Sequence, residues 1–249
     1  MQYLLSRASR SVLTRLAHEK TLCAFDFDGT LSPIVAHPYG ARVRGRTLSL
    51  LGRLAALYPC VIVSGRARAD LLGRLSGVKV ARLIGNHGAE TELTTRKSLR
   101  RIQQWKTSLE LELGLFPGLW VEDKGLSLAV HYRQSPRKAE ARRRILKVAR
   151  SLERARVFGG KQVVNLAVDG APHKGEALAA ERDRLGCNWV LYVGDDENDE
   201  DAFALDGNVV PVRIGRKRLS HAGYYLRTQA EIDKLLELLC CMRPSGAVQ

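Results

Sequence analysis

The stretch Cys23-Ala24-Phe25-Asp26-Phe27-Asp28-Gly29-Thr30-Leu31 decides how this chain is read, because an apolar, aromatic run ends in two carboxylates two positions apart. The run from Leu22 to Phe27 is short and breaks at Gly29, which predicts a buried strand leading into a loop. Asp26 and Asp28 then sit at the strand's carboxyl end, where open α/β sheets hold their ligand crevice. A carboxylate there can attack phosphorus and become an aspartyl-phosphate. The second can protonate the leaving oxygen and later take a proton from water. Paired acids also attract Mg2+, which takes oxygen ligands and offsets phosphoryl charge. Over these residues alone, a strand followed by an ordinary Asp-Gly turn reads the same way.

Three further segments add chemistry to that pair. Pro59 to Val63 is a second strand-like run, and it ends in Ser64-Gly65-Arg66, where a hydroxyl, a permissive backbone and a guanidinium can meet phosphate. Lys174 precedes Gly175 and opens a helical stretch to Leu185, so its ammonium can neutralise an anion near the helix start. Trp189 to Val193 is a third run, followed by Gly194-Asp195-Asp196-Glu197-Asn198-Asp199-Glu200-Asp201, a cluster that repels itself without a cation. Asp195 and Asp199 are the metal candidates, while Glu197, Glu200 and Asp201 read equally well as a solvated loop.

The order acid pair, serine, lysine, acid cluster resembles the haloacid dehalogenase superfamily of phosphatases. The resemblance implies an α/β fold, a Rossmann-like parallel sheet flanked by helices, with Asp26 as nucleophile and Asp28 as acid/base. It further implies phosphate binding by Thr30, Ser64, Gly65 and Lys174, the lysine also organising the local charge. Mg2+ would be held by Asp195, the Asp26 side chain and the Asp28 backbone carbonyl, with Asp199 supporting metal-bound water or Lys174.

Between Ser64 and Lys174 lies more chain than one crossover needs, which predicts an insertion. After a strand over Val80 to Ile84 and the loop Gly85-Asn86-His87-Gly88-Ala89-Glu90, helical spacing runs from Ser98 to Leu113. Strands over Leu119 to Asp123 and Leu126 to Tyr132 flank the turn signal Lys124-Gly125. An arginine-rich helix follows from Pro136 to about Arg154, then a hairpin of Arg156 to Phe158 and Gln162 to Val168 across Gly159-Gly160. The expected organisation is a core of residues 1–92 and 169–249 with an inserted α+β cap, residues 93–168, setting substrate specificity.

The cap carries a narrower resemblance. Glu122-Asp123-Lys124-Gly125-Leu126-Ser127 leading into His131-Tyr132-Arg133, with the Gly85 to Glu90 loop and the Lys174 and Asp195 segments, is similar to the trehalose-6-phosphate phosphatase family. That implies Mg2+-dependent hydrolysis of trehalose 6-phosphate to trehalose, with Glu122 and Lys124 reaching the sugar hydroxyls. Arg66, Asn86 and His87 would line the pocket from the core side. Asn165 stands where that family commonly carries an acidic residue, leaving an amide as the expected sugar contact. Another sugar phosphate, such as sucrose 6-phosphate or a glycosyl-phosphoglycerate, fits the same core chemistry. A solvated hairpin tip at Glu122 and Lys124, a structural loop role for His87, and sheet-surface roles for His131 and Arg133 are the plainer alternatives.

Charge narrows the partners. Lys and Arg number 40 against 26 Asp and Glu, a formal charge of +14 in 249 residues. Such a balance suits nucleic acid or an anionic small substrate. The basic residues are scattered from Arg7 to Arg243 without interleaved aromatics, so a small sugar phosphate is expected and nucleic acid is not. No apolar run approaches the roughly 20 residues that cross a bilayer. The five cysteines are irregularly spaced, which predicts no disulfide framework or zinc site and suits the reducing cytoplasm. A monomer is expected. The first twenty residues predict an amphipathic helix from Tyr3 to Ala17, either packed beside the first strand or serving as an arginine-rich targeting peptide.

Overall fold

The structure is a computed structural model and describes residues 1–35, 37–75, 77–90 and 96–244. The chain begins with β1 (Gln2–Tyr3), α1 (Arg10–His18), β2 (Thr21–Phe25), α2 (Gly45–Ala55), β3 (Cys60–Val63), α3 (Arg68–Arg74) and β4 (Arg82–Ile84). There follow α4 (Arg96–Leu113), β5 (Trp120–Asp123), β6 (Ser127–His131), α5 (Lys138–Ser151), β7 (Ala155–Gly160) and β8 (Val163–Val168). It closes with α6 (Lys174–Arg184), β9 (Trp189–Gly194), α7 (Glu200–Phe203), β10 (Val209–Ile214), β11 (Tyr224–Leu226) and α8 (Ile232–Met242).

Seven strands form one parallel sheet in the order β1-β11-β10-β9-β2-β3-β4. Strands β2 and β3 are buried along their whole length. Continuous apolar runs of this kind are what a parallel sheet needs when both faces are covered. Alternation assigns the faces: Cys23, Phe25, Ile62 and Leu191 pack under α1, α2 and α8, while Leu22, Ala24, Val61 and Tyr192 pack under α6 and α7. The chain runs outward from β2 to β3 and β4, then returns as β9 on the other side of β2. That reversal opens a crevice at the carboxyl ends of β2 and β9, the usual ligand position in such sheets. Asp26 and Asp195 follow those two ends directly.

The second sheet is antiparallel, in the order β5-β6-β8-β7, with α4 and α5 packed on one face. Leu128, Val130, Val164 and Leu166 join Ile102, Leu109 and Ile145 in a separate hydrophobic cluster. Their sequence neighbours point the other way because strand side chains alternate. Trp120, Glu122, His131, Val163 and Asn165 consequently share the face that looks onto the parallel sheet's crevice.

Two expectations are corrected. Gly159 and Gly160 do not form the second hairpin's turn; they end β7, and the turn is Lys161-Gln162, with Gln162 at φ 62°. The glycines are needed for approach: a Cβ at Gly159 would lie 2.8 Å from the Glu197 carboxylate, and one at Gly160 would lie 3.1 Å from that of Asp196. At the other end of the chain the helix begins at Arg10, preceded by a 3-10 turn over Arg7–Ser9, and Gln2–Tyr3 instead add an edge strand to β11. Leu4, Leu13 and Leu16 are nonetheless in the main core. The expected core–cap junction at 92/93 lies outside the described residues. Among the described residues no helix is long and apolar enough to cross a membrane.

Candidate active site

Lys174 is the centre of the charge arrangement. It opens α6, where a cation is unfavourable beside the helix's positive end. His173 caps that end, its Nδ1 accepting from the Gly175 and Glu176 amides while Glu176 accepts from the His173 amide. The Lys174 ammonium donates to Asp26 Oδ1 at 2.8 Å and to Asp199 Oδ1 at 2.7 Å, all three side chains being buried. Burial would lower the lysine's pKa, but the Asp199 and Asp26 charges outweigh it and raise it. Asp199 also accepts from the Tyr192 hydroxyl and, at its other oxygen, from the Asp195 and Asp196 amides. With four donors on its two oxygens, Asp199 is an organiser of this loop.

Asp26 and Asp195 keep unused acceptor capacity. Their carboxylates and that of Asp199 each offer an oxygen within 4.8 Å of the others. Burial pushes Asp26 well above the carboxylate range; Lys174 opposes this, and Asp199 and Asp195 reinforce it. Asp195 is pushed up to about 7 by burial and the Asp199 charge, against the pull of Lys161. Buried carboxylates crowded this way are stable as ions only beside extra positive charge. This donor set, hard oxygens from two strand ends with a third acid behind, fits a divalent cation. Lys161, at the tip of the β7–β8 turn, provides positive charge here by pairing with Asp195, and its backbone amide donates to Asp196 at 3.1 Å. Gly29, at φ 81°, lets the two loops meet: a Cβ there would overlap the Asp195 carboxylate.

Asp28 is held differently. Arg66 donates to both its oxygens at 2.7 Å, to Asp70 at 2.7 Å and to the Pro38 carbonyl at 2.8 Å. The guanidinium lines the cavity as expected, but its nitrogens are committed to protein acceptors, so it positions Asp28 in this arrangement. Ser64 lines the cavity and its Oγ accepts from the Arg66 amide at 3.3 Å. Gly65 lines it too, and a Cβ there would overlap the His87 ring.

Two expected pocket residues lie elsewhere. Asn86 is buried and accepts from the cap residue Ser127 at 2.7 Å while donating to Glu90 at 3.2 Å, so it joins core to cap without lining the cavity. Thr30 is fully buried and its Oγ1 has no hydrogen-bond partner. Loop residues pointing toward or away from a crevice have no periodic signature, so sequence could not separate these from their neighbours. His87 does line the cavity, at φ 58°, a strained region for a residue with a side chain.

From the cap, Glu122, Lys124 and Asn165 all reach the cavity. His131 Nε2 donates to Glu122 at 2.8 Å, and the Lys124 ammonium lies 3.8 Å from the same oxygen. Burial would raise Glu122, but His131 and Lys124 hold it below the usual range; burial lowers Lys124 against the pull of Glu122 and Asp28. Trp120 stacks on His131 with ring centroids 4.0 Å apart and faces His37 of the core at 5.9 Å. Sequence reasoning missed His37, Trp120, Lys161 and Arg213. Arg213 donates to the Asp195 and Asp196 carbonyls and to Glu200, fixing the acidic loop's backbone.

A family model of trehalose-phosphatases matches residues 24–212. The chain belongs to the trehalose-phosphatase family. A curated trehalose-phosphate phosphatase of Mycobacterium tuberculosis is 35% identical over 213 residues, 76% of this chain and 52% of that relative. The chain spans about half the length of the curated relatives it matches. The trehalose-6-phosphate phosphatase C-terminal domain of Candida albicans shares the fold, with a TM-score of 0.82 at 22% identity over 97% of this chain and 98% of that one. Trehalose-6-phosphate phosphatase of Aspergillus fumigatus superposes with a TM-score of 0.64 at 25% identity over 97% and 99%. The trehalose-phosphatase fold here is the haloacid dehalogenase core with a cap, as the sequence resemblance implied.

Proposed function

We propose that this chain is a Mg2+-dependent phosphomonoesterase that releases phosphate from trehalose 6-phosphate. The observation that carries the reading is the meeting, around one cavity, of the Asp26–Lys174–Asp199 cluster from the parallel sheet and the His131–Glu122–Lys124 group from the cap. The first group suits a phosphoryl centre and the second suits sugar hydroxyls. A pocket that pairs with hydroxyls rejects analogues lacking them, because its buried polar groups would be left unpaired. Residues 93–168 act in this reading as the cap that selects substrate.

Asp26 and Asp195 would hold the ion, with the Asp28 carbonyl, and Asp199 would keep Lys174 in place. A divalent cation there supplies the positive charge that lets both buried carboxylates ionise and offsets charge on the phosphoryl oxygens. Asp26 attacks phosphorus and becomes an aspartyl-phosphate as Asp28 gives a proton to the departing sugar oxygen. Both Asp28 oxygens accept from Arg66, so the carboxyl must turn from that clamp to deliver its proton. Asp28 then takes a proton from water, whose oxygen attacks phosphorus, frees phosphate and restores Asp26. Lys174 stays bonded to Asp26, and Ser64 and Gly65 line the phosphate end.

Phosphate release should be measured with Mg2+ over a panel holding trehalose 6-phosphate, sucrose 6-phosphate and a glycosyl-phosphoglycerate. The expected preference is for trehalose 6-phosphate, with Asp26→Asn folded and slower by about 10^3-fold or more. Comparable activity of that variant, or preference for another sugar, overturns the corresponding part of the reading.

A further inference from the structure

A second cavity lies behind Lys174, on the seam between cap and core, with a volume of about 250 Å³. Arg156 and Phe158 enter it from β7, His87 from the loop after β4, and Asn198 and Asp201 from the acidic segment. It shares His87, Lys174 and Asn198 with the catalytic cavity, yet the mechanism uses nothing in it except Lys174.

Orphaned polar groups are concentrated here. Both ring nitrogens of His87, Nε of Arg156 and Oδ1 of Asn198 are buried without a hydrogen-bond partner, and all three residues line this one cavity. His87 is 5% exposed. Buried polar groups are almost always hydrogen-bonded, and leaving one unpaired costs about 1–3 kcal/mol. Three in one space require a polar occupant.

The chemistry of the lining chooses its sign. Arg156 makes one contact to the Pro172 carbonyl at 3.5 Å, lies 5.5 Å over the Phe158 ring, and has no carboxylate within ion-pair distance among the described residues. A guanidinium is donor-only and suited to tetrahedral oxyanions. Burial keeps His87 uncharged, with Lys124, Lys174 and Arg156 adding to the effect, so one ring nitrogen can donate. The Asn165 amide lies close enough to oppose that shift without meeting hydrogen-bond geometry. Asn198 Nδ2 donates to Asp196 at 3.4 Å, and a flip of the terminal group exchanges that long hydrogen bond for donation into the cavity. Lys174 is balanced by Asp26 and Asp199, and Asp201 is more than half exposed at 3.9 Å from His173.

We infer that this cavity is a second site, for a small tetrahedral oxyanion, bound by Arg156 of the cap and by His87 and Asn198 of the core. Inorganic phosphate, the product of the proposed reaction, is the occupant that the neighbouring site would supply, and this identification rests on that reading. An oxyanion here ties cap to core, so it holds the cap closed and slows release of product.

The test is calorimetric titration of the Mg2+-loaded protein with inorganic phosphate. Two phosphates per chain are expected for the natural sequence, and one for both Arg156→Met and Asn198→Leu, with thermal midpoints recorded beside each. If Arg156→Met does not fold, Asn198→Leu carries the test alone. A single phosphate in the natural protein, or two retained in a folded variant, overturns the inference. Inhibition by phosphate should likewise be mixed in the natural protein and purely competitive in Arg156→Met. A protein that binds two phosphates but leaves trehalose 6-phosphate intact would refute the proposed substrate and leave the second site standing.

Discussion

Lys161, carried on the cap's last turn, pairs its ammonium with Asp195, a carboxylate of the core's acidic cluster. The pair crosses from one sheet system to the other beside the acidic cluster that fits a divalent cation. A cation that engages Asp195 competes with this ammonium. Lys161→Met should therefore tighten Mg2+ binding by about tenfold, roughly 1.4 kcal/mol. Calorimetry at low ionic strength checks this, and unchanged or weaker affinity refutes the competition.

Asp199 carries four hydrogen bonds on two oxygens while fully buried. Asp199→Asn removes the charge that shares Lys174 and turns an acceptor into a donor facing other donors. Breaking one partner of a buried ion pair costs about 3–5 kcal/mol. Urea unfolding should show a loss of that order, together with loss of turnover.

Glu122 is braced by His131, which in turn stacks on Trp120. Glu122→Ala should raise KM for trehalose 6-phosphate strongly and leave hydrolysis of a simple aryl phosphate nearly unchanged. Trp120→Ala acts through His131 and should give the same selectivity at about 1 kcal/mol, the scale of one aromatic pair. Equal losses on both substrates would remove the cap group from sugar recognition.

Glu181 accepts from Arg82 at 2.7 Å and from Arg184 at 2.6 and 2.9 Å. Burial would raise its carboxyl, but these hydrogen bonds outweigh burial and hold it below the usual carboxylate range. A folded pKa below the unfolded value of about 4.3 gives stability that is full above that pH and is lost as pH falls through the folded value. Glu181→Gln should cost about 1–2 kcal/mol near neutral pH, discounted because both arginines are partly exposed. The gap between variant and natural protein should close in acid; a gap independent of pH would refute the linkage.

Local pattern carried β2 to β9, though not β1, β10 or β11, together with the helix opened by Lys174 and the order of chemical segments, because burial on both faces writes continuous apolar runs and strand ends write acids and glycines. It also carried the cap's helix–hairpin repeat. It misread Gly159-Gly160 as a turn, since glycine marks both bends and close approaches, and only the approach of Glu197 and Asp196 distinguishes them. Asn86 and Thr30 enter the expected site through the family resemblance, whereas in the structure Asn86 bonds Ser127 and the Thr30 hydroxyl is buried without a partner.

The sequence by itself determined the acid pair at the end of β2 and the order of the chemical segments, which follow from residue type and spacing, and those segments carried the family resemblance that implied the parallel core. Only the tertiary structure decided which charges meet: Lys174 between Asp26 and Asp199 from opposite ends of the chain, Arg66 on Asp28, and Lys161 of the cap on Asp195. The physical reason is range. Strand and helix preferences act over a few residues, whereas a buried charge is satisfied by whichever partner the fold brings within about 3 Å, however distant in sequence.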